Sequence, residues 1–378
     1  MIPGNLPLFA NVSAFASHMT LTRPIDRILD LARWAPSGDN TQPWRFEIVD
    51  EHHVVVHGFD TREHCVYDLD GHPSQIALGA LVETASIAAS AESLRLEASC
   101  RPDAPADRPT IDLRLIAAPG LTPSPLVAAI QRRSVQRRLM KLAPLTGAQK
   151  MALQDAVGAG FELRWLERLP ERWRMALMLF RSARLRLTMP EAYRVHKDVI
   201  EWNARYSANR VPDQALGASK PSIALMRFAM VSWKRVHFLN RFLAGTWVPR
   251  IELDFLPGLA CAAHFAIVTR GPLTGLADYV AAGRAMQRMW LTATHLGLVM
   301  QPEITPLVFA RYARDGRVFS ATPGTQDSAR AVAADLGALF GPDVAASTAF
   351  MGRIGTGPEP QARSLRREPS GLRQGHGA

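Results

Sequence analysis

Cysteine is scarce: Cys65, Cys100 and Cys261 are the only three in 378 residues. They are odd in number, widely spaced and never in a CxxC pair. That argues against a disulfide framework or a cysteine-based zinc site and fits reduced thiols in a cytoplasmic protein. The common catalytic signatures are missing too. No GxxxxGKS/T occurs, so no P-loop is expected, and neither GxSxG nor HExxH is present. His52, His53 and His57 cluster on what reads as an exposed hairpin, where solvation is expected rather than metal binding. No charge-free apolar stretch reaches about 18 residues, so no spanning helix is expected. The opening MIPGNLPLFANVSAFASHM has neither a positive start nor a long apolar run, and no signal peptide is expected.

What remains is a chain that is 47% hydrophobic and 21% charged, ordinary for a protein with a large buried core. The formal net charge of +10 is compatible with anionic ligands such as phosphates. No zinc-finger spacing or basic heptad helix accompanies it, so nucleic-acid binding is not expected.

Helical and strand patterns alternate along the chain. Residues 1–19 read as a loose arm. A helix runs from Pro24 to Trp34 and stops at Pro36. RFEIVD and HVVVHGF read as two strands of a hairpin. A helix from about Ser74 to Ala91 carries mostly small residues, which suits a buried central helix. LRLEASC and TIDLRLIAA read as strands, and a helix from about Thr146 precedes the strand FELRWLE. Residues 167–250 read as helical without strands. His264–Thr269 reads as a strand, 275–298 as the clearest amphipathic helix, and about Gln326–Phe340 as another helix. VMQPEITPLV reads as a proline-punctuated loop. GRIGTG at 352–357 is glycine-rich but reads as a tail turn rather than a dinucleotide loop. The fold class expected is α+β: a central, mostly antiparallel sheet wrapped by helices.

Two stretches stand out for chemistry. Between helix and strand lies APSGDNTQPW, in which Ser37, Asn40 and Gln42 offer hydroxyl and amide groups and Pro36 and Pro43 stiffen the loop. It could be a plain surface loop with Trp44 as its anchor, or a loop shaped to hold a flat polar ring. The second stretch is RRSVQRR, with Arg132, Arg133, Ser134 and Arg137. It could be a solvated basic turn, or a phosphate site in which arginine forks and a hydroxyl meet the oxygens. Arg363 and Arg366 could close over such a phosphate or form only a basic tail. Trp290 sits at helical spacing that suits the core as well as a ring contact.

In combination these pieces resemble the FMN-dependent nitroreductase family. ARWAPSGDNTQPWRF is similar to its hallmark loop: helix, Ala-Pro-Ser, two residues, Asn, one residue, Gln-Pro-Trp, strand. RRSVQRR resembles its Arg-Arg-Ser-x-Arg phosphate motif, with one extra residue before the next arginine. AMQRMWLTATHLGLVMQPE resembles its late helix and loop, and MGRIGTGPEPQARSLRREP its closing segment. The likeness spans about Thr22 to Pro369. In ordinary members the arginine motif comes first and two chains share each site. Here the Pro-Ser loop comes first, which resembles the long, fused, pseudo-dimeric branch. Such a chain has two nitroreductase-like halves, about 20–125 and 126–370, one complete flavin site, a degenerate second site and a disordered tail at 371–378.

The resemblance implies bound FMN. Ser37, Asn40 and Gln42 would face the ring, Arg132, Arg133, Ser134, Arg137, Arg363 and Arg366 the phosphate, and Pro302, Glu303 and Ile304 the region near flavin N5. It implies hydride transfer to a nitro compound, quinone or unsaturated acceptor, with NAD(P)H as donor. Specialised flavin chemistry without nicotinamide turnover and a flavin-sequestering role are the alternatives. No titratable catalytic residue is required, since the flavin carries the reaction. Some nitroreductase-like chains are associated with E1-like adenylating proteins, so such a partner is conceivable, and a monomeric pseudo-dimer or a homodimer is expected. The helical insert at about 190–250 reads as a lid bearing Tyr193, His196, Trp202 and Tyr206 at the substrate pocket. A dimerisation arm and an amphipathic membrane-surface element are its rivals, and membrane contact is not expected.

Overall fold

A computed structural model of the chain describes residues 22–374. The expected arm at 1–19 and the last residues, 375–378, lie outside them. In chain order the main elements are helix α1 (Pro24–Ala32), strands β1 (Trp44–Ile48) and β2 (His53–Gly58), α2 (His72–Ser90), β3 (Leu94–Cys100), β4 (Thr110–Ala117), α3 (Gly147–Val157) and β5 (Phe161–Leu166). Then come α4 (Leu169–Thr188), α5 (Pro190–Val199), α6 (Lys220–Ala229), α7 (Trp233–Phe242), β6 (Ala263–Thr269), α8 (Leu276–His295), β7 (Val299–Pro302), α9 (Thr305–Arg314), α10 (Thr325–Phe340) and β8 (Thr348–Gly355).

The α+β class and the antiparallel pairing are as expected, but the sheet is not single. Two four-stranded antiparallel sheets form, in the orders β1-β2-β4-β3 and β7-β8-β6-β5. Helices α2 and α8 pack against each other, and the inner faces of both sheets gather their core on them. Nearly every residue of α2 is buried, so its small-residue composition leaves no polar face. The crossing is tight at Gly79 and Gly283. A Cβ on Gly79 would lie 2.1 Å from the Val280 carbonyl oxygen, and one on Gly283 would lie 2.0 Å from that of Ile76. Across the same contact Gln287 Nε2 donates to Thr84 Oγ1 at 2.9 Å, and Arg284 pairs with Glu83 at 2.9 Å.

One continuous core joins the inner faces of both sheets to these helices, from Trp44, Val56 and Leu113 to Phe265, Ile267 and Phe350. A second core covers the other face of the second sheet with α4, α9 and α10, through Met175, Leu179, Phe309, Val332 and Met351. The outer face of the first sheet stays polar. There His53 pairs with Asp112 and His57 with Glu47, both at 2.7 Å.

Four expectations need correction. GRIGTG is not a tail turn. Residues 352–355 lie in β8, buried along its whole length because sheet neighbours flank it and helices cover it. Its glycine permits closeness, since a Cβ on Gly352 would meet the Gln301 carbonyl at 2.6 Å. VMQPEITPLV is not a loop but β7 followed by α9, which Pro306 helps to start. The stretch 167–250 is mostly helical but contains the two-residue strands Ile200–Glu201, Tyr206–Ser207 and Val211–Pro212. Residues 371–374 are not disordered: Leu372 is fully buried, and Gln374 N donates to the Phe46 carbonyl at 2.9 Å.

Candidate functional site

The loop after α1 holds an unusual backbone. Asp39, Asn40 and Gln42 take φ of 50°, 62° and 52°, the left-handed region that residues other than glycine seldom occupy. Strain at three of four positions persists only where surroundings enforce it, and such strain concentrates at functional sites. The enforcing contacts are visible. Ser37 Oγ accepts from Gln42 N at 2.9 Å. Asn40 Nδ2 donates to the Arg210 carbonyl at 3.2 Å, and its Oδ1 accepts from Arg366 at 3.0 Å. Gln42 is fully buried and turned away from the adjoining cavity. Its amide bonds the Asn40 and Ala208 carbonyls, and its oxygen accepts from Arg367 N at 2.8 Å. Trp44, with no exposed surface, anchors the loop at the start of β1.

The arginine stretch leaves a short helical turn, Ala129–Arg132, and runs beside β7. Val135 bridges Met300, and Gln136 N donates to the Met300 carbonyl at 2.9 Å. This aims Arg133, Ser134 and Arg137 at the cavity and leaves Arg132 outside it, 3.9 Å from Glu359. Arg133 is 3% exposed. Its guanidinium lies 4.5 Å over the Trp290 ring and donates to the Trp34 carbonyl at 2.9 Å, while its Nε has no partner.

The tail returns to this place. Arg363 N and Leu365 N donate to the Arg205 and Ser207 carbonyls, so residues 363–365 add to the insert as a short parallel strand. Arg366 then bonds the Ala35 carbonyl and Asn40. The Arg363 side chain donates to the Arg133 carbonyl at 3.2 Å, and its buried Nε is likewise unpartnered. Burial holds Arg133, Arg363 and Arg366 below the usual arginine range. The Arg366 and Arg363 charges push Arg133 down further, and Arg366 falls to about 9. Three cations disfavoured by burial, two of them also by neighbouring arginines, make a site that an anion would relieve.

Behind the 301–305 segment is a buried charged network. Glu303 accepts from Arg353 at 2.9 Å and faces His264 Nδ1 at 2.8 Å. His264 Nε2 faces the Gly258 carbonyl at 2.7 Å. Both ring nitrogens meet acceptors, which requires the imidazolium. Burial alone would lower the His264 pKa, but the Glu303 carboxylate overrides it and raises the value to about 10. Burial would raise Glu303, yet His264 and Arg353 hold it below its ordinary value.

On the far side, His196 and Tyr67 meet at 3.0 Å through Nε2 and the phenol oxygen. Burial, helped by Arg186, lowers His196 to about 3, so the pair is uncharged at neutral pH. Arg186 and Asp254 pair beside it at 2.6 Å. The other three aromatics expected here do not line the cavity. Tyr193 donates to the Met230 carbonyl at 3.1 Å and packs on Trp233, which ties α5 to α7. Trp202 is half-buried elsewhere, and Tyr206 is exposed under Arg205.

All these walls enclose one cavity of about 670 Å³, within the range of about 300–1,000 Å³ usual for cofactor and ligand sites. Ser37, Asn40, Arg133, Ser134, Arg137, Pro302, Glu303, Ile304, Arg363, Arg366 and His196 line it; Gln42, Arg132, Tyr193, Trp202 and Tyr206 do not. Six arginines and three carboxylates face it, leaving positive charge in excess. Inward residues of α6 and α7, such as Met226, Val236 and Leu239, form an apolar roof. Sequence reasoning missed Asp39, Tyr67, Arg186, Asp254 and Arg353. No alternation marks the strand around Arg353, because it is buried along its whole length.

No family model matches the chain. The chain is 23% identical over 352 residues to an uncharacterized protein of Mycobacterium tuberculosis (strain CDC 1551 / Oshkosh), a match that covers 90% of this chain and 47% of that protein. It is 28% identical over 309 residues to each of two proteins named "Putative NAD(P)H nitroreductase", from M. tuberculosis strains CDC 1551 / Oshkosh and ATCC 25618 / H37Rv. Those matches cover 79% of this chain and 81% of each relative. The chain thus spans about half the length of the first relative and most of the other two.

Proposed function

We propose that this chain is an FMN-dependent oxidoreductase of nitroreductase type, with NAD(P)H as electron donor and an organic acceptor such as a nitro compound, quinone or unsaturated molecule. The observation that carries the reading is convergence. A strained polar loop, an arginine-serine stretch about a hundred residues further on and a doubled-back tail meet on one cavity. The similarity to relatives named for NAD(P)H-dependent nitroreduction points the same way.

The residues fit the cofactor. Arg133 and Arg363 each leave a buried Nε without a partner, and the Ser134 hydroxyl makes no hydrogen bond among the described residues. Together with Arg366 they offer the charge and the donors that a terminal phosphate requires. Ser37 and Asn40 would hold the polar edge of the ring, and Pro302, Glu303 and Ile304 would flank its reactive part. Arg137, beside Asp39, would add to the phosphate field. Bound FMN supplies the two-electron redox chemistry. The chain binds and orients it, keeps Glu303 ionised behind it and covers the cavity with α6 and α7 to exclude water. The neutral Tyr67–His196 pair would give the acceptor a hydrogen-bonding contact.

The two sheets, each with its long helix and joined at the Gly79–Gly283 crossing, support a reading of two family halves in one chain. A single chain would then complete one site without a second copy.

The test is the absorption spectrum of the protein, purified and then reconstituted with FMN, followed by heat release and chromatography of the flavin. One FMN per chain is expected. Recovery of FAD, or no flavin after reconstitution, overturns the reading. Retained FMN without steady-state NAD(P)H oxidation would favour the sequestering alternative, in which the roof bars the reductant.

A further inference from the structure

The roof of the cavity has an outer surface that the proposed chemistry leaves unexplained. Helices α6 and α7 contain no buried residue, although each runs for ten residues. Helices this short are marginal in water without tertiary burial. Their outward faces, the link between them and the segment after them carry Phe228, Val231, Phe238, Phe242, Leu243 and Trp247, each more than half exposed. Eight of the nineteen large apolar side chains exposed among the described residues fall between Leu225 and Val248. Scattered exposed apolar residues are ordinary, but a contiguous set marks a contact surface.

Charge identifies the kind of surface that covers it. Between Gln214 and Ile251 there is no aspartate or glutamate. Lys220, Arg227, Lys234, Arg235 and Arg241 are all exposed there. Arg235 stacks over Phe228 at 4.7 Å and Arg241 lies 5.8 Å from the Phe242 ring, so cations and aromatics are interleaved. A second copy of this chain fits poorly: an isologous contact would press five cations against five cations with no carboxylate between them. An anionic lipid surface meets both demands, because its headgroups pair with the cations and its acyl boundary takes the rings. Among the described residues no helix is long and apolar enough to cross a membrane, so the contact would lie in the interface plane.

We propose that the α6–α7 hairpin docks this protein on the surface of an anionic bilayer. Leu225, Leu243 and Val248 are exposed and also line the cavity, so the cavity opens at the docking face. A lipophilic molecule leaving the bilayer would enter there.

The experiment is flotation of the full chain with vesicles of phosphatidylglycerol and phosphatidylcholine, against phosphatidylcholine alone, at low and high salt. Binding to the anionic vesicles only, weakened by salt, is expected. Trp247 should report it through a blue shift and quenching by brominated lipid, both diminished in Trp247→Phe. The triple variant Lys234→Glu, Arg235→Glu, Arg241→Glu should bind about a hundredfold more weakly or worse, at roughly fivefold for each cation lost and more for each charge reversed. Phe238→Ser with Phe242→Ser should weaken binding without loss of secondary structure, since neither ring is buried. No flotation with anionic vesicles at low salt overturns the proposal. So does binding that both variants retain, or a dimer in solution that shields Trp247 without lipid.

Discussion

Replacing Arg133 with methionine separates a phosphate site from a structural arginine. The side chain keeps an apolar stem beside Trp290 but loses the guanidinium that lies 4.5 Å over the ring, and with it the charge. Losing a charge-assisted bond to a bound phosphate costs about 1.5–3 kcal/mol, or roughly tenfold to over a hundredfold in affinity. The bond from Arg133 to the Trp34 carbonyl is lost as well, at about 1 kcal/mol, but that loss strikes every ligand alike. The informative quantity is therefore the ratio of FMN to riboflavin affinity, measured by fluorescence quenching on flavin-free protein. It should fall by the full phosphate term. The ligand-free protein gives a second sign. Burial and the Arg366 and Arg363 charges depress the Arg133 pKa, so its cation opposes folding when no anion is bound. Arg133→Met should then leave the ligand-free melting temperature unchanged or raised, and stabilisation by inorganic phosphate should shrink. Equal loss for FMN and riboflavin, or a ligand-free protein that melts several degrees lower, would refute the argument.

Other perturbations follow from the same contacts. Gly283→Ala drives a Cβ to 2.0 Å from the Ile76 carbonyl, so urea unfolding should show a loss of about 3 kcal/mol or more. Gly337→Ala in α10, with nothing nearer than 3.9 Å, should instead be neutral or stabilising by about 0.5–1 kcal/mol. Asn40→Ala removes the bonds to Arg366 and Arg210 and keeps φ near 62°. It should cost about 2–3 kcal/mol and most of the bound flavin, with Asn40→Gly recovering only the backbone part. His264 has a folded pKa raised to about 10, above its unfolded value. Its contribution is therefore complete below about pH 6.5 and lost as pH rises toward 10, and chemical unfolding from pH 6 to 10 should show that decline vanish in His264→Gln. Deleting residues 220–247 with a Gly/Ser bridge should leave flavin content intact and admit bulkier acceptors; loss of all flavin would place the roof in the binding core.

Much of this protein follows from local pattern alone. Helix α1 closes at Ala32, shortly before Pro36, which could not sit in a helix interior, and the capping box of Thr146 and Gln149 starts α3 where expected. The hairpins come from period-two alternation, and the small-residue run of α2 announced a helix buried on all sides. Residue types that singly allow a plain loop or a solvated basic turn pointed to part of the site in combination: Ser37, Asn40, Arg133 and Ser134 line the cavity.

Tertiary structure decided the rest. Gln42 and Arg132 have the same chemistry as their neighbours, and only the path of the backbone turns one into the core and the other to solvent. The two long helices between the sheets meet at two glycines more than 200 residues apart, a contact that no periodicity reveals. Strand β8 hid behind Gly352 and Gly355, because burial on both faces removes the alternation by which strands are read. Arg353, Tyr67 and Asp254 reach the cavity through contacts between distant segments, and such contacts have no local signature to find.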